Sequence, residues 1–206
     1  MADYIKLYEE ATDMNLVRNA AEFLEDGAIA ILPTDSVYSL ACDILNDRAL
    51  EKMARLKGLK LREAEFSIVC DNLSLLSDYC KPLNNTVFKL LKRNLPGPFT
   101  FILEANSNIP KIFKKNRKTV GIRVPANSIT RSVVAALGRP IIVTSIKDED
   151  EIVEYMTDPE LIAEKYDALV DVVVDGGFGH NEPSTVVDCT NGNIEIIRQG
   201  IGELLM

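Results

Sequence analysis

The chain predicts an α/β protein built on a sheet of mixed strand direction, and three observations predict it. Short apolar runs bounded by turn residues alternate with amphipathic stretches of helical period. Two of those runs end abruptly in hydroxyl clusters, Thr34-Asp-Ser36 and Thr144-Ser145. An Asn191-Gly192 pair between two β-rich segments marks an antiparallel hairpin. A length of 206 residues, 47% of them hydrophobic and 26% charged, suits one core, and one domain over 1–206 is expected.

The elements follow in order. Asp13 caps a helix whose apolar side uses Met14, Val17, Ala21 and Leu24, with Gly27 as a left-handed stop. Gly27–Asp43 then reads as a buried strand that delivers hydroxyls and a carboxylate to its C-terminal end, where ligands of open α/β sheets bind. A helix over Asp47–Leu56 carries Leu50 and Met53 inward and runs into Arg55, Lys57, Lys60 and Arg62. Phe66–Cys70 reads as a strand, Leu73–Cys80 as a helix and Asn85–Arg93 as another. Pro96-Gly97-Pro98 breaks the chain before a strand at Phe99–Glu104. Lys111–Lys118 is a basic helix-turn segment, and Val120–Pro125 alternates as a strand. Asn127 or Ser128 caps a helix to Leu137 with Gly138 as its stop, and Pro140–Thr144 is a further buried strand. Lys147–Met156 reads as an acidic loop, and its Asp148–Glu151 run is expected to form a charged lid. Thr157-Asp-Pro-Glu160 starts a helix, Leu169–Val174 is an apolar strand, and Ser184–Asp188 pairs with Ile194–Arg198.

Charge is segregated beneath the formal total of -8. Residues 1–104 carry 12 basic and 16 acidic groups, residues 148–206 carry 2 and 15, and residues 105–147 carry nine basic groups and no acidic one. That asymmetry hints at an anionic ligand, phosphate or RNA, while ordinary pairing with the acidic segments remains the alternative. The start MADYIKLYEE has no signal pattern and no run spans a bilayer, so a cytoplasmic protein without a membrane partner is expected. Cys42, Cys70, Cys80 and Cys189 are scattered, which predicts buried free thiols in a reducing compartment and no metal site from the protein alone.

A Ser-His-Asp triad is not credible with His180, the sole histidine, in a glycine-rich turn, and no phosphate-cradling glycine loop occurs. Phosphate recognition would need side-chain cations. Thr34, Ser36, Lys57, Arg123, Ser145, Ser184 and Arg198 all fall at strand ends and could converge on one pocket. Arg123, set in an apolar strand, needs a structural carboxylate or an anionic ligand, and Asp35 either supplies that carboxylate or caps a turn.

Pro33-Thr-Asp-Ser-Val-Tyr38, Gly121-Ile-Arg-Val-Pro125, Thr144-Ser145, Pro183-Ser-Thr-Val-Val-Asp188 and Ile197-Arg-Gln-Gly200 stand in the order and spacing of the YrdC/YciO family, which the chain resembles over nearly its whole length. The Arg55–Arg62 and Lys111–Lys118 stretches look more like the YciO branch. The resemblance implies an open, twisted sheet with flanking helices and a large concave face. It also implies binding of ATP with Mg2+, L-threonine and bicarbonate, and synthesis of the threonylcarbamoyl-AMP that modifies transfer RNA. Carried over, it places Thr34, Arg123 and Ser184 on L-threonine and Lys57, Ser145 and Arg198 on the nucleotide; an arginine fork matches a carboxylate, and cations offset phosphate charge.

Three positions depart from the synthase pattern. Leu59 replaces the arginine of a lysine-x-arginine motif, Lys147 replaces the asparagine of a serine-x-asparagine motif, and Ser39 replaces a glycine. Two readings therefore stand beside a plain metabolite-binding domain: a synthase-like enzyme of weakened activity, and a double-stranded RNA- or tRNA-binding protein of the same fold without turnover. The RNA candidates are Arg55, Lys60, Arg62, Lys111, Lys114, Lys115, Arg117 and Lys118, and the catalytic residues and oligomeric state are not specified by the sequence.

Overall fold

A computed structural model of the chain describes residues 1–61, 66–110, 118–146 and 154–206. The elements are β1 (Asp3–Lys6), α1 (Met14–Glu25), β2 (Ala30–Leu32), β3 (Ser39–Asp43), α2 (Asp47–Leu56), β4 (Ser67–Val69), α3 (Leu73–Leu76), α4 (Asn85–Asn94), β5 (Phe99–Glu104), β6 (Thr119–Arg123), α5 (Ser128–Leu137), β7 (Ile141–Ser145), α6 (Glu154–Thr157), α7 (Pro159–Tyr166), β8 (Val172–Asp175), β9 (Thr185–Asp188) and β10 (Glu195–Arg198). The strands form one open ten-stranded sheet in the order β1-β8-β2-β3-β7-β4-β6-β5-β9-β10. β1 and β2 flank β8 in parallel, β4 pairs β6 and β5 pairs β9 in parallel, and the remaining ladders are antiparallel.

Local chemistry explains where helices begin and end. The Asp13 carboxylate accepts from Asn15 N to start α1, Asn46 accepts from Ala49 N to start α2, and Asn127 accepts from Thr130 N to start α5. Gly138, at φ 72°, closes α5 in the left-handed conformation that a side chain resists.

The α1 surface buries Val17, Ala20, Ala21 and Leu24, while Met14 stays 57% exposed in the first turn rather than joining the core. The segment 27–43 is two strands, not one: β2 and β3 pair antiparallel around the Pro33–Tyr38 loop, because Ser39 and Asp43 are buried in the second strand. The helix expected over Leu73–Cys80 stops at Leu76, since Cys80 bridges to Ala105 beside the sheet. Lys147–Asp150 and the rest of the predicted lid lie outside the described residues; Glu154–Thr157 is helical rather than loop.

Each face of the sheet buries its own core. One face packs Ile31, Leu40, Ile68, Phe101, Ile122 and Val187 against α2, α4 and α7. The other packs Leu32, Ala41, Val69, Ile141, Val143 and Val174 against α1 and α5. On β5, β6 and β9 only the first set is apolar core, because side chains alternate across a strand. Thr100, Gly121, Arg123 and Val186 therefore point to the second face, beyond the cover of α1 and α5. Among the described residues no helix covers that stretch of sheet, and it forms the concave surface.

Candidate functional site

The concave surface forms a cavity of about 600 Å³, floored by β4, β5, β6, β7 and β9 and walled by the Pro33–Tyr38 loop and the β10 hairpin. Its volume lies within the roughly 300–1,000 Å³ typical of small-molecule sites. Gly121 sits mid-floor, where an added Cβ would lie 3.1 Å from both Ser67 Oγ and Thr100 Cγ2, so its hydrogen keeps the floor open. Two guanidiniums, Arg123 and Arg198, and seven hydroxyl side chains line the cavity; no carboxylate does among the described residues.

Arg123 is the most constrained of these groups, with its side chain only 6% exposed. Nη2 donates to Asp35 Oδ1 at 3.0 Å and to Ser36 Oγ at 2.9 Å. Nε is buried and has no hydrogen-bond partner. Burial lowers the affinity of this guanidinium for its proton, the Asp35 charge and hydrogen bond oppose that, and the charge of Arg198 reinforces it. A buried unpartnered N–H is costly.

Arg198 belongs to an exposed strand and is held by the carbonyl of Ser184, Nη2 to O at 2.8 Å. Ser184 Oγ is buried, 2.8 Å from Thr100 Oγ1 and 3.4 Å from Arg198 Nη2. Lys57 Nζ donates to the Ser145 carbonyl at 2.8 Å, tying the end of α2 to the end of β7. Ser145 lines the cavity directly, whereas Lys57 reaches its rim through that bond.

Of the residues expected to converge, Ser36, Arg123, Ser145, Ser184 and Arg198 meet at the cavity. Thr34 does not line it. Its hydroxyl closes the local turn, donating to Val37 O at 2.8 Å and accepting from Ser36 N at 3.1 Å. Thr34 Oγ1 also lies 3.1 Å from Ser36 Oγ, so it touches the cavity through Ser36. The Arg123 partner is Asp35, the structural alternative for that charge.

Among the RNA candidates, Arg55, Lys60 and Lys118 are exposed and none lines the cavity. Arg62, Lys111, Lys114, Lys115 and Arg117 lie outside the described residues. Two cations of the basic segment fold back onto carboxylates: Arg123 onto Asp35, and Arg139 onto Asp43 at 2.7 Å and Glu25 at 3.4 Å. His180 is an exposed loop residue, and all four cysteines are free and buried. Burial pushes each thiol up, that of Cys189 to about 11. No helix among the described residues is long and apolar enough to cross a membrane.

Phe66, Ser67, Thr100 and Ile109 also line the cavity and were not singled out by sequence. Thr100 was legible in principle, since it stands between Phe99 and Phe101 in a strand whose period of two must turn it away from the core.

Residues 22–200 match the Sua5/YciO/YrdC family model, described as "Telomere recombination". An uncharacterised protein of Haemophilus influenzae is 37% identical over 204 residues, covering 98% of this chain and 97% of its own. The crystal structure of E. coli YciO superposes with a TM-score of 0.89 at 34% identity, covering 98% of both chains. P. abyssi Sua5 complexed with L-threonine superposes with a TM-score of 0.83 at 25% identity, over 96% of this chain and 57% of that one.

Proposed function

The chain belongs to the Sua5/YciO/YrdC family, and from that premise we propose that its cavity binds L-threonine and ATP and joins them, at a reduced rate, as threonylcarbamoyl-AMP. The observation that carries this reading is a cavity lined by two guanidiniums, Arg123 and Arg198, and, among the described residues, by no carboxylate. Likeness to a protein complexed with L-threonine supports the choice of amino acid.

In this reading the threonine carboxylate accepts from Arg123, beside the Ser184 hydroxyl, and Thr34 contributes by fixing Ser36. The amine of threonine condenses with bicarbonate to a carbamate, releasing water. A carbamate oxygen then attacks the α-phosphorus of ATP and pyrophosphate leaves. Arg198 and Lys57 offset phosphate charge, and Ser145 donates to a phosphate oxygen. No side chain acts as a nucleophile; the gain comes from positioning and charge stabilisation. Magnesium carried with ATP would offset charge at the phosphates, which are hard oxygen ligands; no carboxylate lines the cavity among the described residues.

Leu59, 41% exposed and three residues beyond α2, supplies no charge where synthases place a cation, which is the reason for the reduced rate. RNA binding is the less favoured reading, because the floor is a walled small-molecule cavity and the described RNA candidates lie away from it. The test is pyrophosphate release by the purified protein with ATP, magnesium, L-threonine and bicarbonate. Release that depends on threonine is expected, and release no greater than a boiled control sinks the synthase reading.

A further inference from the structure

On the reading of the cavity as a carboxylate site, we propose that Asp35 is a positioning residue that aims Arg123 without touching the ligand. Asp35 does not line the cavity; it faces a smaller pocket of about 220 Å³ on the other side of the Pro33–Tyr38 loop. One carboxylate makes two ties. Oδ1 accepts from Arg123 Nη2 at 3.0 Å, and Oδ2 accepts from Ala126 N at 2.6 Å, in the turn between β6 and α5.

The ion pair is close to fully buried, at 6% and 10% side-chain exposure, so it is weakly screened and geometrically strict. With Ser36 Oγ as the second acceptor, both protons of Nη2 are engaged by protein. The guanidinium plane is thereby fixed where Arg123 lines the cavity.

Asp35 also neutralises the charge of Arg123. The attraction of Arg123 for a carboxylate then depends on orientation, while net attraction for phosphate rests on Arg198. Asp35→Asn separates these effects, because it raises the positive charge beside the cavity while losing one of the two ties. We expect L-threonine affinity to fall about tenfold or more, the worth of a well-aimed charged hydrogen bond. ATP affinity is expected to be no weaker than in the wild type.

Calorimetric titrations of both ligands, on wild type and Asp35→Asn, read this split. Unchanged threonine affinity, or a parallel loss of both ligands with a lowered thermal midpoint, overturns the proposal in favour of no role or a purely structural one. A wild-type protein that binds no threonine removes the carboxylate reading itself, and the positioning role with it. If Asp35→Asn does not fold, Asp35→Glu keeps the charge and displaces the guanidinium; the same selective loss is expected, and its absence overturns the proposal.

Discussion

The two sides of the Pro33–Tyr38 loop carry opposite chemistry. Ser36 and Val37 face the cavity with its two guanidiniums, whereas Thr34, Asp35 and Tyr38 face a pocket that shares Glu9, Gly176, Gly177 and Phe178 with a neighbouring one. Together those two pockets are bordered by Glu9, Asp35, Asp158, Glu160 and Asp175. Most of these carboxylates are already engaged by the fold. Glu9 accepts from Asn127 Nδ2 at 2.8 Å and Ser128 N at 3.1 Å, Asp158 caps α7, and Asp175 accepts from Tyr4 O–H at 2.9 Å and Gly177 N at 2.8 Å. Charge on the acidic side is structural, while the basic side presents two guanidiniums to open volume. Charge density alone does not mark a binding site; charge that faces open volume does.

Breaking the acidic side should cost stability and spare binding. Asp175, 2% exposed at the end of β8, loses its bonds to Tyr4 and Gly177 on substitution by alanine. We expect a loss of about 2–3 kcal/mol in urea unfolding, since bonds to a charged acceptor are worth about 1.5–3 kcal/mol each and part is recovered from water. Ligand affinity in the folded fraction should not change; a selective loss of binding would mean that the two sides are not separate.

Breaking the basic side at its exposed edge should do the reverse. Arg198→Ala is expected to weaken ATP about tenfold with little change in the thermal midpoint, because Arg198 stands on an exposed strand at the edge of the sheet. The wild-type affinity should fall with added salt and the variant's less steeply, as calorimetry at two salt concentrations would record. Equal salt dependence would contradict a phosphate role for Arg198.

The smallest effect is alkaline and lies on the acidic side. Burial, reinforced by Asp175, raises the Tyr4 phenol well above its ordinary value, and burial raises Tyr38 likewise. A group that holds its proton more tightly when folded stabilises fully below its unfolded value of about 10, and that contribution is lost as pH rises beyond it. Unfolding midpoints in denaturant should therefore be lower at pH 11 than at pH 8, and Tyr4→Phe should flatten part of that decline. An identical decline in the variant would remove Tyr4 from the account.

Much of the fold was legible because it is written locally. The strand Phe99–Glu104, the helix between Asn127 and Gly138, and the hairpin at Asn191-Gly192 stand where their period, caps and turn residues put them. β3 was not legible as a separate strand, since Gly27–Asp43 reads as one run until the Pro33–Tyr38 loop folds it back onto β2. β1 is four residues with no pattern of its own, and only its parallel pairing with β8 makes it a strand.

The site divides in the same way. Arg123 and Ser184 were legible as polar residues in apolar strands. That Thr34 closes a turn while Ser36 reaches the cavity depends on loop geometry that spacing does not encode.

The central claim is that Arg123 receives the carboxylate of an amino acid in this cavity. Calorimetric titration of L-threonine into the wild type and Arg123→Ala, with both shown folded by circular dichroism, tests it most directly. The account predicts saturable binding by the wild type and at least about a tenfold weaker affinity in the variant. Equal threonine affinity in the two proteins would contradict it.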